Sequence, residues 1–149
     1  PQGVRISEQS RRVHKITHRR VRQEGWPAKA ELLRVHQIFR AMRRRGKRIV
    51  AHNAAFDCRI LRQSAAKHGF RDWDLRKDHV LCTMHAAKTW CQLKSDKTGR
   101  LKNPSNATLY RLLTGRRPGG SLHDAEADVR VTATSYVEGK KRGLWCTFS

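Results

Sequence analysis

AHNAAFD, residues 51–57, follows the apolar run RIVA and opens a stretch of helical spacing. Ile49, Val50 and Ala51 are β-branched or small and are preceded by charged residues, which predicts a short buried strand. From Ala54 the period changes. Phe56, Ile60, Leu61 and Ala65 recur at helical spacing and are expected to line the inner face of a helix that Gly69 stops. The stretch therefore reads as a strand-to-helix junction with Asp57 in the first helical turn. Ligands of open α/β sheets bind just beyond the carboxyl ends of strands, and a carboxylate there suits a hard cation such as Mg2+. Taken alone, Asp57 reads first as a solvated acid favoured by the helix dipole.

The pattern continues on both sides. Upstream, WPAKAELLRVHQIFRAMRRRG carries Leu32, Val35, Phe39 and Met42 in one stripe, widened by Leu33 and Ile38. Pro27 suits the first helical position, Arg43 to Arg45 suit the helix's negative end, and Gly46 stops it. Downstream, HVLC reads as a second strand, and Thr83 is placed to cap a helix running to about Trp90. Residues 92–105 form a polar, basic loop. ATLYRLLTG reads as a helix closed by Gly115, RRPGGSL as a flexible connector, and HDAEADVRVTATSYVEG as a last helix with Ala125, Val129, Ala133 and Tyr136 near one face. KKRGLWCTFS is a basic, then apolar tail. Residues 1–26 read as a basic, extended or loop segment with room for one helical turn. Strands alternating with helices predict an α/β fold with parallel pairing. Two such strands make no stable sheet by themselves.

Composition narrows the partners. The 149 residues include 33 Lys and Arg against 12 Asp and Glu, a net charge of +21. So large an excess self-repels until a polyanion neutralises it, and nucleic acid does so through phosphate contacts that release counterions. No basic amphipathic anchor with a Trp/Leu face and no apolar run of about 20 residues points to a membrane. Cys58, Cys82, Cys91 and Cys146 contain no CxxC pair, which reads as a reducing, intracellular setting. Cys82, His85 and Cys91 have poor spacing for zinc. The first residue is Pro1 rather than Met, which reads as a cleaved or trimmed chain.

HDAEAD, residues 123–128, is the second informative stretch. His123 stands where the connector meets the last helix, and Asp128 projects from that helix. Their separation of five is not same-face spacing; it suits an imidazole that swings over a site from the connector. Asp124 is a candidate cap.

AHNAAFD followed by HDAEAD, in this order and each opening a helix, resembles the DEDDh 3′–5′ exonucleases, the family of the proofreading epsilon subunit of bacterial DNA polymerase III. The resemblance covers nearly the whole chain. VHKIT resembles the loop before the first core helix, and VLCTMHAAK lies where a strand followed by Asp-Thr is common, with Cys82 in place of that Asp. The resemblance implies a ribonuclease-H-like fold and a two-metal mechanism with two Mg2+ or Mn2+ ions held by four carboxylates. It implies that Asp57 and Asp128 are two of the four. His123 matches the general base, a role that an imidazole suits near neutral pH. His52 and Asn53 would shape the site near the terminal nucleotide, with Phe56 beside them, and the products would be nucleoside 5′-monophosphates.

The family's first motif, Asp-x-Glu on its first strand, has no counterpart upstream of AHNAAFD. Glu8 and Glu24 have no aspartate two residues before them, and Asp72 and Asp74 come too late. The expected architecture is thus the C-terminal part of the fold, two short parallel strands with flanking helices in a single domain over 1–149 that lacks three N-terminal strands. Three readings follow. The motif lies in a segment upstream, a separate chain supplies it by strand pairing, or the chain is a non-catalytic module that binds nucleic acid. Asp57, His123 and Asp128 favour an enzyme, because bare carboxylates repel phosphate. Arg11, Arg12, Arg19, Arg20 and Arg22 form one candidate surface for the backbone of DNA or RNA. Lys94, Lys97, Arg100 and Lys102 form another, and neither reads base sequence.

Overall fold

A computed structural model describes residues 6–70, 79–119 and 125–145. The junction at residues 51–57 is as the sequence predicts. Strand β1 (Ile49–Ala51) runs into helix α4 (Ala54–Lys67), which returns the chain to strand β2 (Val80–Cys82). The strands pair in parallel, with Ile49 opposite Val80, Val50 opposite Leu81 and Ala51 opposite Cys82. They are the two strands of the described residues, and among these β1 pairs only with β2.

Side chains alternate across a strand, and that alternation builds two small cores. Ile49 faces helix α3 (Ala28–Arg44) and α4, where Leu32 and Ala65 are buried among Val35, Phe39, Cys58, Leu61 and Phe70. Leu81 belongs to the other core, with buried Ala87, Leu109, Leu113 and Trp145. Helix α7 (Asn106–Thr114) packs on α8 (Ala125–Lys141), and α8 lies against β1. The result is a helix–sheet–helix sandwich around a very narrow sheet. No helix among the described residues is long and apolar enough to cross a membrane.

Four local expectations change. Residues 1–26 are not a loop throughout: α1 (Glu8–His14) and α2 (His18–Glu24) are helical, capped by the Ser7 and Thr17 side chains. Neither buries a residue, so caps and the Glu8–Arg11, Glu8–Arg12 and Arg20–Glu24 pairs specify them locally. The helix expected from Thr83 to Trp90 breaks at buried Ala87 into α5 (Thr83–Ala86) and α6 (Lys88–Cys91). Leu33, Ile38 and Met42 are exposed, which narrows the α3 stripe to Leu32, Val35 and Phe39. On α4 the inner face is Cys58, Leu61 and Ala65, while Phe56 and Ile60 point away from that core and are exposed. Both stripes have helical spacing, and only the position of α3 selects between them.

Candidate functional site

The turn between β1 and α4 needs a residue outside the usual backbone regions. Asn53 supplies it at φ 63° and ψ 45°, preceding Ala54 with no side-chain capping bond. Asparagine enters this left-handed region more readily than other residues with a Cβ. Replacing it with Val is expected to cost about 1–2 kcal/mol in stability, as left-handed backbone does for a β-carbon. Asn53→Gly keeps the turn and removes only the amide. A melting temperature unchanged in Asn53→Gly but lowered in Asn53→Val checks this, and any loss of substrate affinity in the glycine variant then reports the side chain.

The junction opens on a cleft of about 1120 Å³. One wall is the end of β1 with His52, Asn53, Phe56 and Asp57; the facing wall is α8, with Asp128, Thr132 and Tyr136; Pro104 to Ala107 close one side. Asp57 and Asp128, on separate helices far apart in sequence, thus line the same cavity. Both act on His52, whose proton they favour through their charge. Partial burial pushes the Asp57 carboxyl above its ordinary range, against opposing effects of its own backbone N–H and of His52. A bound cation would offset that burial cost. Phe56 is 51% exposed at the cleft, with the Arg59 guanidinium 5.3 Å from its ring centre. That ring is available for stacking. His123 and Asp124 lie outside the described residues.

Both ring nitrogens of His52 are engaged. Nε2 donates to the Pro104 carbonyl at 3.1 Å, so Nδ1 of the neutral ring accepts from the Thr83 hydroxyl at 3.0 Å. Thr83 is fully buried, and its hydroxyl also lies 3.4 Å from the Ala51 carbonyl. Burial lowers the His52 pKa below its ordinary 6.5, more than the Pro104 bond and the two carboxylates raise it. The unfolded chain therefore takes up this proton first on acidification. The stability due to neutral His52 is complete above about pH 6.5 and is lost as the pH falls from there through the folded value. Thermal melts from pH 7.5 to pH 5, chosen to span the ordinary histidine value of about 6.5, should show a steeper decline for the wild type than for His52→Gln.

Asn106 is a site residue that sequence reading missed. Its Nδ2 donates to the Asp128 carbonyl at 3.1 Å and to Thr132 Oγ1 at 3.0 Å, and Thr132 Oγ1 in turn donates to the Asp128 carbonyl at 2.9 Å. The only sequence signal nearby is Ser105, which caps α7.

The two basic surfaces differ. Arg11 and Arg12 pair with Glu8, and Arg20 pairs with Glu24. The 92–105 segment is a small hairpin, with Lys94 and Leu101 bridged and Ser95 N–H donating to the Arg100 carbonyl at 2.9 Å. Its exposed Lys94, Lys97, Arg100 and Lys102 lead directly into Pro104 and the cleft.

Among the described residues no three His, Cys, Asp or Glu side chains gather to hold a metal. Asp57 and Asp128 do fit Mg2+, which is commonly held by one or two carboxylates together with substrate phosphates and water. A family model described as Exonuclease (RNase_T) matches residues 2–136. No curated protein and no solved structure gives a match.

Proposed function

Since the chain belongs to the RNase_T exonuclease family, a family of nucleic-acid hydrolases, we propose that it is a metal-dependent 3′–5′ exonuclease of the DEDDh type. The supporting observation is that Asp57 and Asp128 line one cleft at the carboxyl end of a parallel strand. The substrate is a 3′ end of DNA or RNA, and the products are nucleoside 5′-monophosphates.

In this reading Asp57 and Asp128 hold Mg2+ or Mn2+. When bound, the cation supplies Lewis acidity at the phosphoryl group and acidifies water. His123 takes the proton from the attacking water. Asn53 and Phe56 receive the terminal nucleotide, and the hairpin cations Lys94, Lys97, Arg100 and Lys102 follow the phosphate backbone, with Arg11, Arg12, Arg19 and Arg20 as a weaker second surface. His52 keeps the cleft in shape rather than offering a free nitrogen. A second metal ion requires more carboxylates than this pair. We place them on an Asp-x-Glu strand, from an upstream segment or a separate chain, that pairs with the edge of β1 away from β2, beside exposed Val129 and Val137 of α8.

The test is degradation of 3′-labelled single-stranded DNA and RNA with Mg2+, Mn2+ or chelator. Metal-dependent release of mononucleotides supports the proposal. Tight, salt-sensitive binding without cleavage, in the presence of an Asp-x-Glu strand, would support a non-catalytic nucleic-acid-binding module instead, a reading with which the charge of +21 is equally compatible.

A further inference from the structure

The two carboxylates sit on different helices, and the sheet between them is three residues long on each strand. Such a sheet is too small to hold two helices in register by its own hydrogen bonds. Their spacing needs another constraint, and three consecutive residues before and at the start of α7 provide one. The Pro104 carbonyl accepts from His52 Nε2 at the β1 end of the cleft. Two residues on, Asn106 Nδ2 grips the Asp128 carbonyl and the Thr132 hydroxyl on α8. Between them Ser105 caps α7 by accepting from the Thr108 N–H, which sets the direction of the whole turn. The turn is stiff: Pro104 is fully buried, and its ring limits the backbone.

Asn106 is held with little freedom. Its Oδ1 is buried and, among the described residues, has no hydrogen-bond partner. A buried orphan acceptor carries a desolvation cost, and this one accompanies an amide whose two donors are both spent on α8. We infer that Asn106 and His52 are the two ends of a strut through residues 104–106 that sets the Asp57–Asp128 separation. They are positioning residues for the site rather than groups that touch substrate. This rests on the reading of Asp57 and Asp128 as metal ligands. Asn106 acts on the Asp128 backbone, so it fixes where the carboxylate starts from without neutralising it. The Thr132 hydroxyl reinforces the same carbonyl.

Mn2+ affinity is measured by titration calorimetry on the full chain, beside hydrogen exchange of residues 125–133 in chelator and thermal melting. Removing a group that orients a metal ligand typically costs about 10–100-fold in affinity, and that loss is expected for Asn106→Leu and for His52→Leu. His52→Gln, which can donate to Pro104 and accept from Thr83, restores affinity close to wild type. Thr132→Val removes one Asn106 partner at nearly constant shape and moves affinity the same way. Leu61→Ala, in the distant α3–α4 core, lowers the melting temperature and leaves Mn2+ affinity unchanged. Exchange of residues 125–133 accelerates in Asn106→Leu and Thr132→Val. Wild-type affinity together with wild-type exchange in these two variants overturns the strut. A wild-type chain that binds no Mn2+ removes the metal reading, and the exchange of residues 125–133 then decides the strut by itself.

Discussion

Under the proposed exonuclease reading, in the presence of the Asp-x-Glu strand, Asp128→Asn and Asp57→Asn should each sharply lower metal-dependent release of mononucleotides while the chain stays folded. A lost metal ligand forfeits transition-state stabilisation of several kcal/mol, and at 1.36 kcal/mol per decade of rate the expected fall is about 10³-fold. The fold should survive both changes for separate reasons. Asn106 and Thr132 hold Asp128 by its backbone carbonyl, which asparagine keeps. Burial already disfavours the ionised form of Asp57, so a neutral amide there relieves the folded state in the absence of metal. Metal linkage supplies an independent reading. Mn2+ should raise the melting temperature of the wild type, as any ligand of the native state does, and leave both variants unmoved. Nuclease activity that persists in either variant at unchanged metal dependence would remove that residue from the site.

Gly139→Ala destabilises the chain, although helix propensity alone predicts the reverse. In a helix interior Ala is better than Gly by about 1 kcal/mol. Here the space is occupied, since a β-carbon at Gly139 would overlap the Trp145 indole. Gly143, at φ 68°, ends α8 and turns the chain back, with the Leu144 N–H donating to the Gly139 carbonyl at 2.9 Å. Trp145 then lies over Gly139, donates to the Tyr136 carbonyl, and stacks on the Tyr136 ring with centroids 6.2 Å apart. At 5% exposure it is one of the few large side chains in the α7–α8 core. Expelling it resembles truncation of a buried Trp, about 3–5 kcal/mol. At about 2–4 °C per kcal/mol for a domain of this size, the melting temperature should fall by roughly 10 °C. Tyr136 also lines the cleft, so its brace is lost as well. Trp145→Ala should cost a similar amount, and adding Gly139→Ala to it should cost little more, because the two changes remove one contact. A Gly139→Ala chain more stable than wild type would show that propensity outweighs the packing.

The strand-to-helix junctions were legible because they rest on local rules. Apolar β-branched residues, a change of period at Ala54, and Gly69 and Gly115 at helix ends place β1, α4, β2, α7 and α8 within a few residues. The two short N-terminal helices were hidden by their charge. Their caps, Ser7 and Thr17, are visible in the sequence, but neither helix has an apolar face to mark it. On α4 two stripes carry equivalent spacing, so periodicity could not tell the buried Ala65 side from the exposed Phe56 side.

The site divides in the same way. Asp57 and Asp128, the proposed metal ligands, were singled out by motif order along one chain, each at the start of its own helix, and both line the cleft. Asn106, Pro104 and Thr83 were not singled out, because their roles exist only as hydrogen bonds between segments far apart in sequence. Sequence by itself determined the α/β alternation and the basic character, since each depends on residue type and short-range spacing, and motif resemblance singled out Asp57 and Asp128; that both open onto one cleft is a tertiary fact. Tertiary structure alone decided which helix face is buried, that Gly139 makes room for Trp145, and that a single turn from Pro104 to Asn106 joins the two walls of the cleft. Those are contacts between surfaces, and no local spacing encodes which surface will arrive.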